Sequence, residues 1–252
     1  MSLIPQAESG PGPGRRFLNA PVWLWQAFVG VSLIFVLLPQ LDLAVSALFH
    51  TPGIGFAARG TWFERLVHQS TYWFLVLGTP AMVGLWLAHR RGWLRGPLRG
   101  LGIRGRELAF LLLVLVLGPG LLVNGILKEH WGRARPLNCQ EFGGTQVFSP
   151  AFVPSDQGGR SFSSGHASGS GYWVVVALVL APRRRLWLWL ALGYSLLVAW
   201  ARLAAGGHFL SDILVSWFIV ALLAYWLDGL LSPPQPEPEP EPEPGAALLP
   251  PG

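Results

Sequence analysis

Six long apolar runs dominate the chain and leave little room for a water-soluble fold. They fall at about residues 22–41, 72–89, 108–127, 167–181, 186–201 and 209–231. An apolar helix of roughly 20 residues spans the hydrocarbon core of a bilayer. The fourth and fifth runs are short and are expected to extend into flanking residues. Only 12% of the residues are charged, about half the fraction in an average soluble domain. The expected fold is all-α, with six transmembrane helices in one domain over residues 21–231. Residues 1–20 form an N-terminal segment. Residues 232–252 form a disordered tail whose Pro-Glu alternation cannot build a core. Pro119 should kink the third helix, which neighbouring helices tolerate.

The basic residues orient these spans. Arg15, Arg16, Arg90, Arg91, Arg95, Arg99, Arg104, Arg106, Arg183, Arg184 and Arg185 lie on one side. Arg59, Arg65, Lys128, Arg133, Arg135, Arg160 and Arg202 lie on the other. The richer side is expected to be cytoplasmic, and with it both termini. The alternative, that Arg15-Arg16 and the first run are a cleaved signal, is disfavoured because the run exceeds a usual signal core. Net charge is +5, and +9 without the four tail glutamates Glu237, Glu239, Glu241 and Glu243. That excess suits anionic lipid headgroups. The arginines sit between apolar spans rather than on one soluble face, so nucleic acid is not an expected partner. The single cysteine, Cys139, forms no internal disulfide and belongs to no zinc-type spacing.

Three polar clusters fall on the outer side. "KEHWGRARP", residues 128–136, holds the only lysine of the chain. Lys128 and Arg135 are two helical turns apart; Pro136 opposes helix at Arg135, and Gly132 lets the chain fold back so that both cations meet. Arg133 is expected merely to reach toward headgroups. The second cluster, "SFSSGHASGSGYW", puts small residues and His166 just before a helix. A helix start with close-approach residues Ser164 and Gly165 suits an anion, and His166 is placed to donate a proton. The third, "ARLAAGGHFLSD", carries Arg202, His208 and Asp212. If this stretch is helical, the i,i+4 spacing sets the Asp212 carboxylate beside the His208 imidazole. A metal on His166, His208 and Asp212 is opposed by the three cations. Together these groups suit a tetrahedral dianion.

Lys128, six residues, Arg135-Pro136; Ser164-Gly165-His166; Arg202, five residues, His208, three residues, Asp212: this three-part pattern resembles the type 2 phosphatidic acid phosphatase (PAP2) superfamily, which includes the vanadium haloperoxidases. The resemblance covers about residues 70–231. Ser163 stands where the family often has Pro, and Ala201 where it often has Ser. The resemblance implies a PAP2/haloperoxidase-like helical bundle core and a phosphohistidine mechanism without metal or other cofactor. It makes His208 the nucleophile, Asp212 its orienting group and His166 the proton donor. Lys128, Arg135, Arg202 and the Ser164–Gly165 backbone would bind the phosphate. "FGG" at 142–144 is similar to bacterial envelope members.

The expected function is a lipid-phosphate phosphatase in the bacterial inner membrane, working at the periplasmic face. Candidate substrates are phosphatidate, phosphatidylglycerophosphate, polyprenyl diphosphate and lipid A phosphates. A lipid-to-lipid phosphotransferase would use the same site. A non-enzymatic lipid-phosphate transporter would bind the anion but has no use for His208 and Asp212. A soluble haloperoxidase does not fit the six runs.

Overall fold

The computed structural model describes residues 3–4, 16–93, 105–181 and 185–232. The Pro-Glu tail and Arg15, Arg95, Arg99, Arg104, Arg183 and Arg184 of the orientation argument lie outside the described residues.

Among the described residues, seven helices build the fold: α1 (Val22–Leu37), α2 (Gln40–Ala47), α3 (Trp62–Arg90), α4 (Gly105–His130), α5 (Gly165–Leu180), α6 (Arg185–Ala204) and α7 (Leu210–Leu231). Two-residue β-ribbons, Arg16–Phe17 with Ala20–Pro21 and His50–Thr51 with Gly55–Phe56, are small additions to an otherwise helical chain.

The six expected runs become helices of unequal length. Among the described residues, α3, α4, α6 and α7 are long and apolar enough to cross a membrane, and α1 with α2 counts as a fifth span only across an 87° bend. Proline disfavours helical geometry in the residue before it. Leu38, next to Pro39, leaves the helix at φ −126° and ψ 61°. The expected run 22–41 therefore stops at Leu37, and α2 turns away carrying Asp42 inward. Helix α5 has 16 residues, about 24 Å at 1.5 Å per residue, against a core of about 30 Å. It starts only at Gly165 because the preceding polar segment is built into the site. The second run also changes: α3 begins at Trp62 rather than near Tyr72. Glu64, Arg65, His68 and Gln69 interrupt its apolar pattern, and Glu64 and His68 face the site.

The middle of α4, Val116–Leu127, runs as a wide π-helix around Pro119. Proline has no N–H to offer the ladder. The Asn124 amide donates to the Pro119 carbonyl at 2.6 Å. The expected kink is thus a local widening of the helix.

Helix α5 is central, packing most extensively on α6 and α7. Its first turns, with Gly165, Ala167, Ser168, Gly169 and Ser170, are buried; small residues let helix backbones approach closely in a membrane. Leu108, Phe110, Leu111 and Val114 of α4 pack with Tyr172, Val175 and Val179 of α5 and Val220, Ala224 and Leu227 of α7. Large apolar side chains stay exposed on α1, α3 and α6, among them Leu37, Leu77, Trp189 and Leu196. Contiguous exposed apolar surface marks contact with a nonaqueous partner, here the bilayer.

Candidate active site

The three polar clusters meet at one end of the bundle. Helix α4 ends at His130 and the chain reverses at Gly132, whose φ is +70°. A Cβ there would collide with the Ser155 carbonyl. The reversal brings Arg135 back toward Lys128. Lys128 Nζ donates to Asn124 Oδ1 at 3.4 Å. Across the site, Arg202 at the end of α6 is buried and donates from Nη1 to Glu64 Oε1 at 2.8 Å. Its Nε is buried with no partner among the described residues. Gly207 lies against the same guanidinium, closer than any Cβ would permit.

His208 is buried at this convergence. Its Nδ1 sits 2.8 Å from the Ser161 carbonyl oxygen. A carbonyl only accepts, so Nδ1 carries the proton and the neutral ring keeps its lone pair on Nε2. Burial, then the positive charges of Arg202, Arg135 and Lys128 and the nearby His166, hold the His208 pKa well below its ordinary value. The imidazole is therefore neutral at pH 7, and the same interactions place all three cations within electrostatic reach of it. Burial and the neighbouring Arg59 pull the Arg135 pKa down as well. Arg59, exposed at the rim, also acts on Arg202.

The expected pairing of Asp212 with His208 takes a different form. Helix α7 starts at Leu210, with Phe209 in extended geometry as its cap, so His208 precedes the helix. Asp212 Oδ2 is 3.9 Å from His208 Nδ1, beyond hydrogen-bond length. That oxygen instead accepts from Ser161 Oγ at 2.6 Å and from the Phe209 amide at 2.8 Å. The other oxygen accepts from Arg133 Nη1 at 2.6 Å. Ser161 thus joins the two residues, its carbonyl holding the imidazole and its hydroxyl holding the carboxylate.

Arg133, expected to reach toward headgroups, is wholly buried. Nη2 pairs with Asp42 Oδ2 at 2.8 Å, Nε donates to the Ser149 carbonyl at 2.9 Å, and the guanidinium lies 4.4 Å from the Phe209 ring centre. The two carboxylates, with burial opposing them, hold its pKa above the ordinary guanidinium value. Arg135, two residues further on, is instead the arginine that acts electrostatically on both Lys128 and His208.

The start of α5 forms the remaining wall. Ser164 Oγ accepts from the Ala167 amide at 3.3 Å, and the Ser164 amide donates to Ser216 Oγ at 2.8 Å. The Gly165 and His166 amides, first in the helix, have no acceptor within it. The His166 ring stacks on His68 of α3, centroids 4.2 Å apart, and its Nδ1 is buried without a partner among the described residues. The variant positions are buried: Ala201 packs with Val67 and Val198, and Ser163 Oγ has no partner among the described residues. Cys139 is also buried; its thiol donates to the Arg135 carbonyl at 3.3 Å, and burial pushes its pKa up to about 12.

All eight sequence-derived site residues, Lys128, Arg135, Ser164, Gly165, His166, Arg202, His208 and Asp212, therefore lie in one region. Sequence reasoning missed Asp42, Glu64, His68, Asn124, Ser161 and Ser216 and misassigned Arg133. The available signal was an acidic or histidine side chain inside or beside an apolar run, which is costly in a membrane and applies to Asp42, Glu64 and His68.

Comparison with known proteins places this bundle of apolar helices and its buried imidazole in a class, the membrane phosphatases. The family model of the PAP2 superfamily matches residues 108–230. Lipid A 4'-phosphatases of Rhizobium leguminosarum and Rhizobium etli are 30% and 31% identical, each over 77% of this chain, and over 88% and 79% of their own lengths. The lipid A 4'-phosphatase of Francisella tularensis subsp. novicida is 33% identical over 47% of this chain, which spans 59% of that relative's length. In fold, the chain is similar to a transmembrane PAP2-type phosphatidylglycerolphosphate phosphatase from Bacillus subtilis, with TM-score 0.50, 19% identity and coverage of 83% and 94% of the two chains. The chain belongs to the PAP2 superfamily and is an integral-membrane phosphatase.

Proposed function

We propose that this protein hydrolyses a phosphate monoester on a lipid A-type headgroup at the outer, periplasmic face of the inner membrane. The observation that carries the reading is the His208 imidazole, neutral, with its lone pair on Nε2 and within reach of Lys128, Arg135 and Arg202. The three relatives named above favour lipid A over phosphatidate, phosphatidylglycerophosphate or polyprenyl diphosphate. A site at helix ends meets the headgroup region, so a lipid-borne phosphate reaches it sideways from the bilayer. The arginine distribution supports cytoplasmic termini and an outward-facing site. Six crossings result if the bent α1–α2 pair and the short α5 each count as one. Residues 21–231 form the catalytic domain and 232–252 a passive tail.

Nε2 of His208 attacks phosphorus in line with the leaving oxygen. An N–P bond forms as the P–O bond breaks, and the leaving oxygen takes its proton from His166, which enters the step as the imidazolium, its charge favoured by the bound phosphate dianion. The ring becomes a phosphoimidazolium, its Nδ1–H still donated to the Ser161 carbonyl. Lys128, Arg135, Arg202 and the amides at the α5 start hold the equatorial oxygens, where charge stabilisation has most to contribute. Deprotonated His166 then takes a proton from water, which displaces the phosphate from Nε2.

Phosphate release by the purified protein in detergent, from lipid A and from the other three lipid phosphates, tests this. Lipid A is expected to give the highest kcat/KM, and His208→Ala to abolish release. No phosphate from any lipid, or full release by His208→Ala, would refute it.

A further inference from the structure

Beneath the candidate site lies a buried charge cluster that the proposed chemistry does not itself require. Arg133 pairs with two carboxylates, Asp212 at 2.6 Å and Asp42 at 2.8 Å, and all three side chains are wholly buried. Asp42 belongs to α2, the short helix beyond the Pro39 bend, and to none of the three polar segments. Its Oδ1 accepts the Ser211 amide at 3.0 Å, and its Oδ2 accepts the Ser211 hydroxyl at 2.5 Å. It thus meets the first turn of α7, immediately after His208, where the helix dipole favours an anion.

The cluster has a net charge. Arg133 alone with Asp212 is neutral overall, and an extra carboxylate buried from water is costly unless something repays it. The α7 amide repays part. The rest has a functional match nearby: the ring of His208 must become cationic while surrounded by Lys128, Arg135 and Arg202. Asp212 cannot supply a full counter-charge, because Arg133 cancels it. The second carboxylate makes the cluster net negative again.

We infer that Asp42 is a positioning residue for the reaction: paired with Arg133, it keeps a net negative charge beneath His208 as the phosphoimidazolium forms. This rests on the phosphatase reading above. Asp42 touches no substrate atom, and its effect falls on turnover rather than on lipid binding.

The test compares Asp42→Asn with Ser211→Ala, using lipid A in detergent. Ser211→Ala removes hydrogen bonds from the same cluster but leaves every charge. Steady-state kcat and KM, the rate of phosphoenzyme formation after rapid mixing, and thermal unfolding are measured for each. Asp42→Asn is expected to lower kcat and the phosphorylation rate at least about tenfold, as for loss of one charge in a low-dielectric site, with KM within about threefold. Ser211→Ala should keep kcat within about threefold even where its unfolding temperature falls. Wild-type kcat in Asp42→Asn, or equal kcat losses in the two variants, would overturn the inference. If Asp42→Asn does not fold, Asp42→Glu, which keeps the charge, must retain at least about a third of wild-type kcat; a folded Asp42→Glu below that also overturns it. Wild-type protein releasing no phosphate would instead refute the phosphatase reading itself.

Discussion

Replacing Arg133 with Met removes the one cation between two buried carboxylates. The side chain is wholly buried and makes bonds of 2.6–2.9 Å to Asp212, Asp42, Ser211 and the Ser149 carbonyl. Breaking a buried pair by removing one partner costs about 3–5 kcal/mol. Both carboxylates contact one guanidinium, so they are left roughly 6 Å apart, a repulsion of about 3 kcal/mol at an effective dielectric near 20. Neutralising Asp42 in the same chain should remove most of that repulsion. Arg133→Met/Asp42→Asn is therefore expected to be more stable than the two single losses added together, by about 2–3 kcal/mol. Unfolding in mixed micelles, followed by tryptophan fluorescence, measures all four members of the cycle. Losses that add to within about 0.5 kcal/mol, as for independent sites, would show that Arg133 does not couple the carboxylates.

Four further outcomes follow from the geometry. Lys128→Arg keeps the charge but replaces a compact ammonium with a planar fork, and kcat should drop about tenfold; a wild-type rate would refute the size argument. Arg59→Ala, at the exposed rim, should raise KM a few-fold at low salt and weaken its salt dependence while sparing kcat, measurable by assays across ionic strength. His208 must be neutral to attack and its folded pKa lies below the ordinary value of about 6.5. The acid limb of kcat/KM should therefore fall below pH 6.5. By linkage, the share of stability due to neutral His208 is fully present above about pH 6.5 and declines as pH falls below it; a pH titration of unfolding checks the sign. Cys139, buried with its thiol pushed up to about 12, should resist maleimide at pH 7 until the protein is unfolded.

Much of the site was legible because its chemistry is carried by rare residues at fixed spacings. Gly132 and the Arg135-Pro136 pair announced a reversal that the structure contains at Gly132, φ +70°. Less legible was the fate of Arg133, which turns inward to Asp42 rather than toward headgroups, and that contact depends on the 87° bend after Leu37. An apolar run reports residence in a membrane but not where a helix turns, so the first run hid a bend and an acidic residue. Polar residues at the start of α3 made that helix seem shorter than it is, because hydropathy falls where a helix faces a polar site. The His208–Asp212 spacing suggested a direct pair. The helix begins two residues after His208, and a main-chain carbonyl, invisible to side-chain patterns, takes the Nδ1 proton.

Trapping the covalent intermediate tests the central claim most directly. Lipid substrate carrying a radiolabelled phosphate is mixed with the enzyme and quenched within one turnover. The account predicts protein-bound label that is stable in alkali, labile in acid and absent from His208→Ala. Release of inorganic phosphate through a complete turnover with no label ever appearing on the protein would contradict it.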